Sequence, residues 1–235
     1  MKPIIGLATG QGGTTTLAEY LRQAGFNVTH EYGCAMKRHW ALFNWYPFNP
    51  KLATRVHVEL AQSITGDGDV SQLNLNVMDN IRALFPKSCF LWMARNGYDV
   101  VRSQLARGWR YNKEDVPKEN HTITPVDFGI MPQHAWNNLT RAGQCAWHWN
   151  WCHTRINNSL GDYMEGYWKR FKLEELDKRG PDILRWLGAK HIPPRVPVKN
   201  AMPEGVECPK LDDEEMDDFV RMAKPMMDYL GYELP

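Results

Sequence analysis

Several features that define other protein classes are missing from this sequence. Its 235 residues include five cysteines but no close pair of the kind found in zinc sites or redox motifs. The 28 lysines and arginines balance the 27 aspartates and glutamates, so no overall field attracts nucleic acid or an anionic membrane. No apolar run approaches the ~20 residues that span a bilayer. Because no charged-then-apolar leader opens the chain, we expect a soluble, cytoplasmic protein that binds neither nucleic acid nor membrane.

The length predicts a single domain over residues 1–235. Short apolar runs predict strands at Ile4–Ala8, Phe26–Glu31, Ser88–Ala94 and Tyr167–Leu173. Helical spacing and stop signals predict helices at Thr14–Ala24, Tyr98–Arg107, Ala135–Leu160, Pro181–Leu187 and Asp212–Leu230. This alternation predicts an α/β fold with a central parallel sheet flanked by helices. Residues 111–132, rich in proline, asparagine and charge, are interpreted as a long loop or lid.

A glycine-rich turn, ATGQGGTTTL at residues 8–17, joins the first strand to the first helix. Its glycines let backbone N–H groups point inward, and the helix N-terminus adds partial positive charge, which predicts an anion site. The contributing residues are Gly10, Gln11, Gly12, Gly13, Thr14, Thr15 and Thr16. Thr14 is also a candidate N-cap of the helix. The alternative is an ordinary glycine turn that ends a strand.

This turn lacks the signatures of two common nucleotide-binding loops. A Walker A loop requires lysine where Gly13 stands, which removes the main support for a P-loop kinase. The GxGxxG spacing of dinucleotide-binding dehydrogenases is also incomplete. An anion bound at this turn is therefore expected to contact mainly backbone N–H groups and threonine hydroxyl groups.

A second motif lies in LFPKSCFLWMARNGYDVVRSQLARGW, residues 84–109, where Arg95 ends a strand and Ser103 follows on the next helix. Each residue alone is typical of a protein surface. With the first turn upstream, the motif resembles the sulfotransferases that use 3′-phosphoadenosine-5′-phosphosulfate (PAPS). The resemblance implies that the glycine turn holds the 5′-phosphosulfate and that Arg95 and Ser103 hold the 3′-phosphate. Guanidinium and hydroxyl groups suit phosphate chemically.

The resemblance covers most of the chain. It includes HEYGCAMKRHW at 30–40, GYWKRFKLEEL at 166–176, ILRWLG at 183–188 and, loosely, VPVKN at 196–200. It implies a P-loop-like sulfotransferase fold and transfer of a sulfuryl group from PAPS to a hydroxyl or amine, releasing 3′-phosphoadenosine-5′-phosphate (PAP). The acceptor is expected to be a small molecule or a glycan, and the scheme needs no metal.

The sequence departs from the family pattern at three places. Gln11 replaces the usual lysine or arginine that contacts the sulfonate, Asn96 replaces a common aspartate, and Thr16 and Leu17 offer no aromatic surface to adenine. We therefore keep two alternatives, a non-catalytic PAP- or nucleotide-binding protein and, with less support, a P-loop kinase.

The resemblance to tyrosyl-protein sulfotransferases makes Glu31 the candidate general base, beside Gln11 and His30 as the other catalytic candidates. Neighbouring residues of a strand face opposite ways, so only one of His30 and Glu31 is expected in the pocket. Glu31 is equally well explained by an ion pair with Lys37 or Arg38. Those cations, or Lys113 in the predicted lid, are candidates to replace the charge that Gln11 lacks.

The long predicted helix carries histidines and tryptophans with two possible roles. His148 and His153 lie five residues apart, not the four that place two metal ligands on one face, so we expect no metal site. The tryptophans line either an acceptor cleft or, as is more common for aromatic residues, the core. They are Trp136, Trp147, Trp149 and Trp151.

Overall fold

The computed structural model of the protein describes residues 2–31, 58–59, 61–109, 124–163, 166–197 and 206–235. Its five strands are β1 (Ile4–Leu7), β2 (Val28–His30), β3 (Gly68–Val70), β4 (Cys89–Ala94) and β5 (Trp168–Lys172). Its helices are α1 (Thr14–Gln23), α2 (Asn74–Leu84), α3 (Gly97–Ala106), α4 (Gln133–Asn137), α5 (Arg141–Gly161), α6 (Leu176–Leu187) and α7 (Asp213–Leu230). Short 3₁₀ turns lie at Pro125–Phe128 and Leu173–Glu175.

The strands form one parallel sheet in the order β2-β3-β1-β4-β5. The predicted α/β fold with a parallel sheet is thereby confirmed. Because every strand runs the same way, all the carboxyl ends lie at one edge of the sheet. The chain leaves β1 toward β2 and later returns past β1 to form β4, and such a change of direction opens a crevice at the carboxyl ends of the strands.

The central strands β1 and β4 are buried on both faces, as their apolar sequences require. In β4, Leu91 and Met93 belong to a core cluster with residues of α1 and α6. Trp92, on the opposite face, is fully buried and donates its indole N–H to His153 Nδ1 at 2.9 Å. Residues of α1 and α6 therefore cover one face of β4, and His153 of α5 contacts the other.

The described residues divide into two compact units. The first comprises 2–31, 58–59, 61–95, 153–163 and 166–197, and it contains the whole sheet. The second comprises 96–109, 124–152 and 206–235, and it includes α3, α4 and α7. The expectation of one domain over residues 1–235 stays a prediction.

The predicted helix Ala135–Leu160 is confirmed from Arg141 onward, where it forms α5, the longest helix of the described residues, but its predicted start is wrong because the preceding residues form the separate helix α4. Thr140 interrupts the predicted helix: its hydroxyl accepts a hydrogen bond from the Gly143 N–H at 3.1 Å, and its own N–H donates to Asp218 Oδ2 at 2.7 Å. A threonine bonded in this way caps a new helix rather than continuing an old one. Thr140 therefore starts α5.

Two further differences concern elements whose ends or existence the sequence pattern did not reveal. Helix α6 begins at Leu176, five residues before its predicted start, and contains Pro181. Strand β3 and helix α2 were not predicted. Of the predicted loop 111–132, residues 111–123 lie outside the described residues, and the remainder contains the 3₁₀ turn Pro125–Phe128.

Among the helices of the described segments, none combines the length and the hydrophobicity that a bilayer crossing requires.

Candidate functional site

The glycine turn between β1 and α1 is tightly curled at the carboxyl edge of the sheet. The Gly12 N–H donates to the Thr9 carbonyl at 2.9 Å, and both Gln11 (φ 64°) and Gly13 (φ 94°) have left-handed backbones. A Cβ on Gly12 would lie 2.7 Å from that carbonyl, so the turn depends on glycine there. The curled backbone lies at the start of α1, where the N–H groups of a helix's first turn favour an anion, and binding of an anion at this turn stays a prediction.

Helix α1 begins without a side-chain cap. Its N-cap is Gly13, so the expectation that Thr14 caps the helix is wrong, because Thr14 is already the first helical residue. Thr14, Thr15 and Thr16 instead form the first turn, where the helix dipole favours an anion. A Cβ on Gly13 would meet Leu173 Cδ2 at 2.7 Å, so the segment after β5 also packs against this turn.

Two polar side chains with a buried oxygen atom, Thr9 and Gln72, closely follow strands of the sheet and were not predicted. Thr9 is 1% exposed, and its hydroxyl oxygen has no hydrogen-bond partner among the described residues. The Cβ position of Gly12 is 3.1 Å from that oxygen, which places the hydroxyl inside the turn. Gln72, two residues after β3, has a buried side-chain oxygen that likewise lacks a partner in the described part of the chain. Thr9 directly follows the predicted first strand, which is its only sequence signal, whereas Gln72 follows a strand that the sequence does not predict and has no such signal.

Arg95, directly after β4, reaches the glycine turn. Its Nη1 donates to the Gln11 carbonyl at 2.9 Å, across 84 residues of sequence. Both residues lie in the first unit, and β1 and β4 are hydrogen-bonded neighbours. The fold therefore brings a fixed positive charge to the turn even though the side chain at position 11 has none.

His30, the last residue of β2, lies against the first turn of α1. Its Nε2 is 3.1 Å from Thr14 Oγ1 and 3.4 Å from Thr15 Oγ1. Burial lowers the pKa of His30, while Asp69 opposes this shift and Arg22 adds to it. His30 is thus a hydrogen-bonded, half-buried histidine whose ring touches two of the hydroxyl groups at the candidate anion site.

Glu31 follows β2 in a turn with φ 54°, so it is not part of the strand. The alternation of side chains along a strand therefore does not apply to Glu31, and it does not place Glu31 and His30 on opposite faces. Burial raises the pKa of Glu31, because a carboxylate loses hydration in a half-buried position. A carboxyl group with a raised pKa is a better proton acceptor than an exposed one.

The two residues with unusual backbones are both catalytic candidates. Among the described residues, Gln11 and Glu31 are the only non-glycine residues with positive φ. This conformation is costly for side chains with a Cβ, and such strain concentrates at functional sites. Gln11 and Glu31 are also two of the residues that the family resemblance predicts to be catalytic.

A buried polar network holds the end of β2 in place. Thr29 Oγ1 donates to Asp69 Oδ1 at 2.6 Å, and Asp69 is fully buried in β3. The Asn74 side-chain amide at the start of α2 donates to Asp69 Oδ2 at 3.3 Å and to the Gly6 carbonyl at 3.0 Å. This network ties β1, β2 and β3 together beneath His30 and Glu31.

The remaining predicted site residues lie in the second unit or outside the described residues. Ser103 is 4% exposed on α3, and its phosphate contact stays a prediction. Asn96 caps α3, because its Oδ1 accepts from the Tyr98 N–H at 2.9 Å, a role that aspartate would fill equally well. The three candidate replacement cations, Lys37, Arg38 and Lys113, lie outside the described residues.

The tryptophans and histidines of α4 and α5 are largely core. Trp136, Trp147 and Trp149 are 1%, 8% and 0% exposed, which confirms the core interpretation for these three. Trp151 is half-buried and stacks on Trp147. Burial lowers the pKa of His148 to about 4 and that of His153 to about 3, so both are neutral near pH 7. Within the described ranges, no group of three or more histidine, cysteine, aspartate or glutamate side chains is arranged to hold a metal ion.

Comparison with solved structures identifies the fold. The structure is similar to a sulfotransferase from Alicyclobacillus acidocaldarius (TM-score 0.54, 12% identity, 100% of this chain and 97% of that chain covered). It is also similar to the sulfotransferase domain from the curacin biosynthetic pathway (TM-score 0.50, 14% identity, 100% and 99% covered). No protein-family model matches the sequence, and no curated protein matches it. The chain therefore has the sulfotransferase fold, which confirms the predicted resemblance at the level of structure.

Proposed function

We propose that the protein transfers a sulfuryl group from PAPS to a hydroxyl or amine acceptor and releases PAP. The observation that carries this proposal is the hydrogen bond from Arg95 to the Gln11 carbonyl, which joins the two anion-binding motifs within a sulfotransferase fold. The glycine turn and the first turn of α1 hold the 5′-phosphosulfate. Arg95 holds the 3′-phosphate, and the sequence predicts that Ser103 assists it.

In the proposed reaction, Glu31 is the general base. Its carboxylate takes the proton of the acceptor as the acceptor oxygen or nitrogen attacks sulfur, and the bond between sulfur and the bridging oxygen breaks in line. That oxygen leaves on PAP with the electron pair. The raised pKa of Glu31 supports this role. Positioning and charge stabilisation by the glycine turn and Arg95 supply most of the rate, and no metal takes part.

The acceptor is proposed to be a small molecule or a glycan, not nucleic acid or a membrane lipid. The near-neutral composition supports this choice, because it provides no broad basic surface. A cytoplasmic location remains part of the proposal.

A panel of nucleotides tests the donor. We expect PAP and PAPS to raise the melting temperature without magnesium and ATP to have little effect with or without it. A ligand at a hundred times its Kd contributes about 2.7 kcal/mol to stability, which shifts the melting temperature by several degrees. Stabilisation by ATP with magnesium alone, and none by PAP, would instead support the kinase alternative.

The absence of a positive charge on the side chain at position 11 favours one alternative function, that of a protein which binds PAP without transferring a sulfuryl group. The Gln11 amide can donate a hydrogen bond to the phosphosulfate but cannot balance the charge that grows on the leaving phosphate. A native protein that binds PAPS without transferring sulfate to any acceptor would establish this alternative function.

We expect Gln11→Lys to raise kcat by about tenfold and PAP affinity by less. The added charge stabilises the transition state more than the ground state, and a charged donor is roughly twice as strong as a neutral one. Gln11→Gly is the matched control, because it keeps the left-handed backbone without any side chain. The measurement is transfer of labelled sulfate from PAPS to phenolic, alcoholic and amine acceptors. If the native enzyme is already fast and Gln11→Lys slows it, glutamine is an adapted part of the site.

A further inference from the structure

His30 touches the candidate anion site through two hydroxyl groups. Its Nε2 lies within hydrogen-bonding distance of Thr14 Oγ1 and Thr15 Oγ1, both in the first turn of α1. A hydroxyl has one proton to donate, so the state of Nε2 decides where that proton points. The protonation state of His30 therefore decides whether the Thr14 and Thr15 hydroxyls can donate hydrogen bonds to an anion.

The two states of Nε2 have opposite effects on an anion. When Nε2 is unprotonated it accepts a hydrogen bond from the Thr14 hydroxyl, and that hydroxyl then turns a lone pair toward the anion. When Nε2 carries a proton it donates to the threonine oxygens, and both hydroxyl protons are free to point at the anion. A doubly protonated ring also adds a positive charge, which is what the side chain of Gln11 lacks.

A second observation points to a ligand at the same place. The hydroxyl of Thr9 is buried inside the glycine turn, and no partner for its oxygen exists among the described residues. A buried hydroxyl without a partner costs free energy unless a ligand satisfies it. Thr9 therefore adds a third hydroxyl at the turn, independent of the helix N-terminus.

Three charged residues lie near His30, namely Asp69, Arg22 and Glu31. Asp69 of β3 favours the protonated ring and Arg22 of α1 opposes it, while Glu31 is the next residue along the chain. Burial is the strongest influence and keeps the pKa of the ligand-free ring below its usual 6.5. An incoming dianion adds a much larger favourable charge to this balance than the existing groups supply.

We propose that the site takes up a proton together with its oxyanion, so that His30 becomes an imidazolium that donates to Thr14 and Thr15 while these donate to the anion. The recognised chemistry is a sulfate or phosphate group. The inference rests on the proposed function only where it identifies that group as the phosphosulfate of PAPS. His30 is a positioning residue here, and it supplies the charge that the family resemblance leads one to expect at position 11.

The pH dependence follows from the two pKa values of His30. The pKa is lowered in the free protein and raised in the complex, so proton uptake occurs between the two values. Anion affinity therefore increases as the pH falls below the pKa of His30 in the complex. It becomes constant once the pH is below the pKa of His30 in the free protein. Sulfate is the useful probe, because its own charge does not change in this range.

The experiment is a histidine nitrogen NMR titration of the native protein from pH 4.5 to 8.5, with sodium sulfate, with PAP, and with sodium chloride at equal ionic strength. His30→Gln identifies the resonance, and exposed His191 is the internal control. We expect sulfate and PAP each to raise the pKa of His30 by about one unit or more, and we expect neither ligand to displace the His191 resonances at a fixed pH. We also expect sulfate affinity to rise about tenfold on acidification in the native protein and to stay constant in His30→Gln.

The outcomes separate this inference from the proposed function. If PAP binds and the pKa of His30 does not move, proton uptake is refuted while the proposed donor stands. If sulfate raises the pKa of His30 but PAP does not bind, the proton-coupled oxyanion site stands and the donor is wrong. An unmoved His30 pKa with both ligands overturns the inference. An equal gain of sulfate affinity in His30→Gln also overturns it, because another group must then take up the proton.

Discussion

Arg95→Ala is expected to weaken PAP binding by about 2 to 4 kcal/mol, or about 30- to 1,000-fold in Kd. The substitution removes a charge-assisted contact to the 3′-phosphate. It also removes the hydrogen bond at 2.9 Å that ties Arg95 to the Gln11 carbonyl, so the glycine turn loses a support. Isothermal titration calorimetry with PAP measures the loss, and circular dichroism checks that the variant is folded.

A matched arginine separates a local effect from a general loss of charge. Arg185 lies in the same unit on α6, is 64% exposed and pairs with Asp182 at 2.6 Å. Arg185→Ala should leave PAP affinity unchanged, because a surface ion pair contributes about 0 to 1 kcal/mol and lies in another part of the fold. A folded Arg95→Ala protein with native PAP affinity would remove the basis for assigning the second phosphate motif.

Glu31→Gln is expected to reduce kcat by about a hundredfold or more and to leave PAP affinity nearly intact. Glutamine has a similar shape but cannot accept the acceptor proton, and general bases contribute on this scale. The measurement is labelled sulfate transfer from PAPS under saturating conditions, together with PAP calorimetry. Glu19→Gln on α1 is the control, since Glu19 pairs with Arg22 at 3.8 Å and has no proposed role in the reaction.

The pH profile of the native enzyme adds a second readout for Glu31. A general base works only when deprotonated, so kcat should fall as the pH drops through the pKa of Glu31. Burial raises this pKa above the ordinary 4.5, so the acid limb should lie above that value and should vanish in Glu31→Gln. Loss of turnover in His30→Gln with normal turnover in Glu31→Gln would transfer the role of base to the histidine.

Much of the sheet could be predicted because its signals are local. The apolar run of β4 and the glycines after β1 identify their elements without knowledge of the rest of the fold. Strand β3 has only three residues, Gly68–Val70, and its middle residue is a buried aspartate. A strand this short, with a polar centre, gives neither an apolar run nor an alternation, so its position between β1 and β2 could not be predicted.

The candidate site was predicted residue by residue, but its contacts were not. The family resemblance implies that Arg95 binds an anion, and this role stays a prediction, whereas its bond to the Gln11 carbonyl depends on β1 and β4 being neighbours. The contact between His30 and Thr14 depends similarly on where α1 passes the end of β2. The left-handed backbone of Glu31 has no sequence signal, because glutamate rarely adopts it. Contacts between distant segments were the part that local patterns could not supply.

The most direct measurement compares PAP with adenosine 5′-monophosphate, which differs only in lacking the 3′-phosphate, by calorimetry without magnesium. We expect PAP to bind the native protein about ten- to a hundredfold more tightly, since charged hydrogen bonds to the 3′-phosphate contribute about 1.5 to 3 kcal/mol. This preference should shrink in Arg95→Ala. Equal affinity for the two nucleotides, or binding of neither, would contradict the proposal that this protein uses a 3′-phosphorylated sulfate donor.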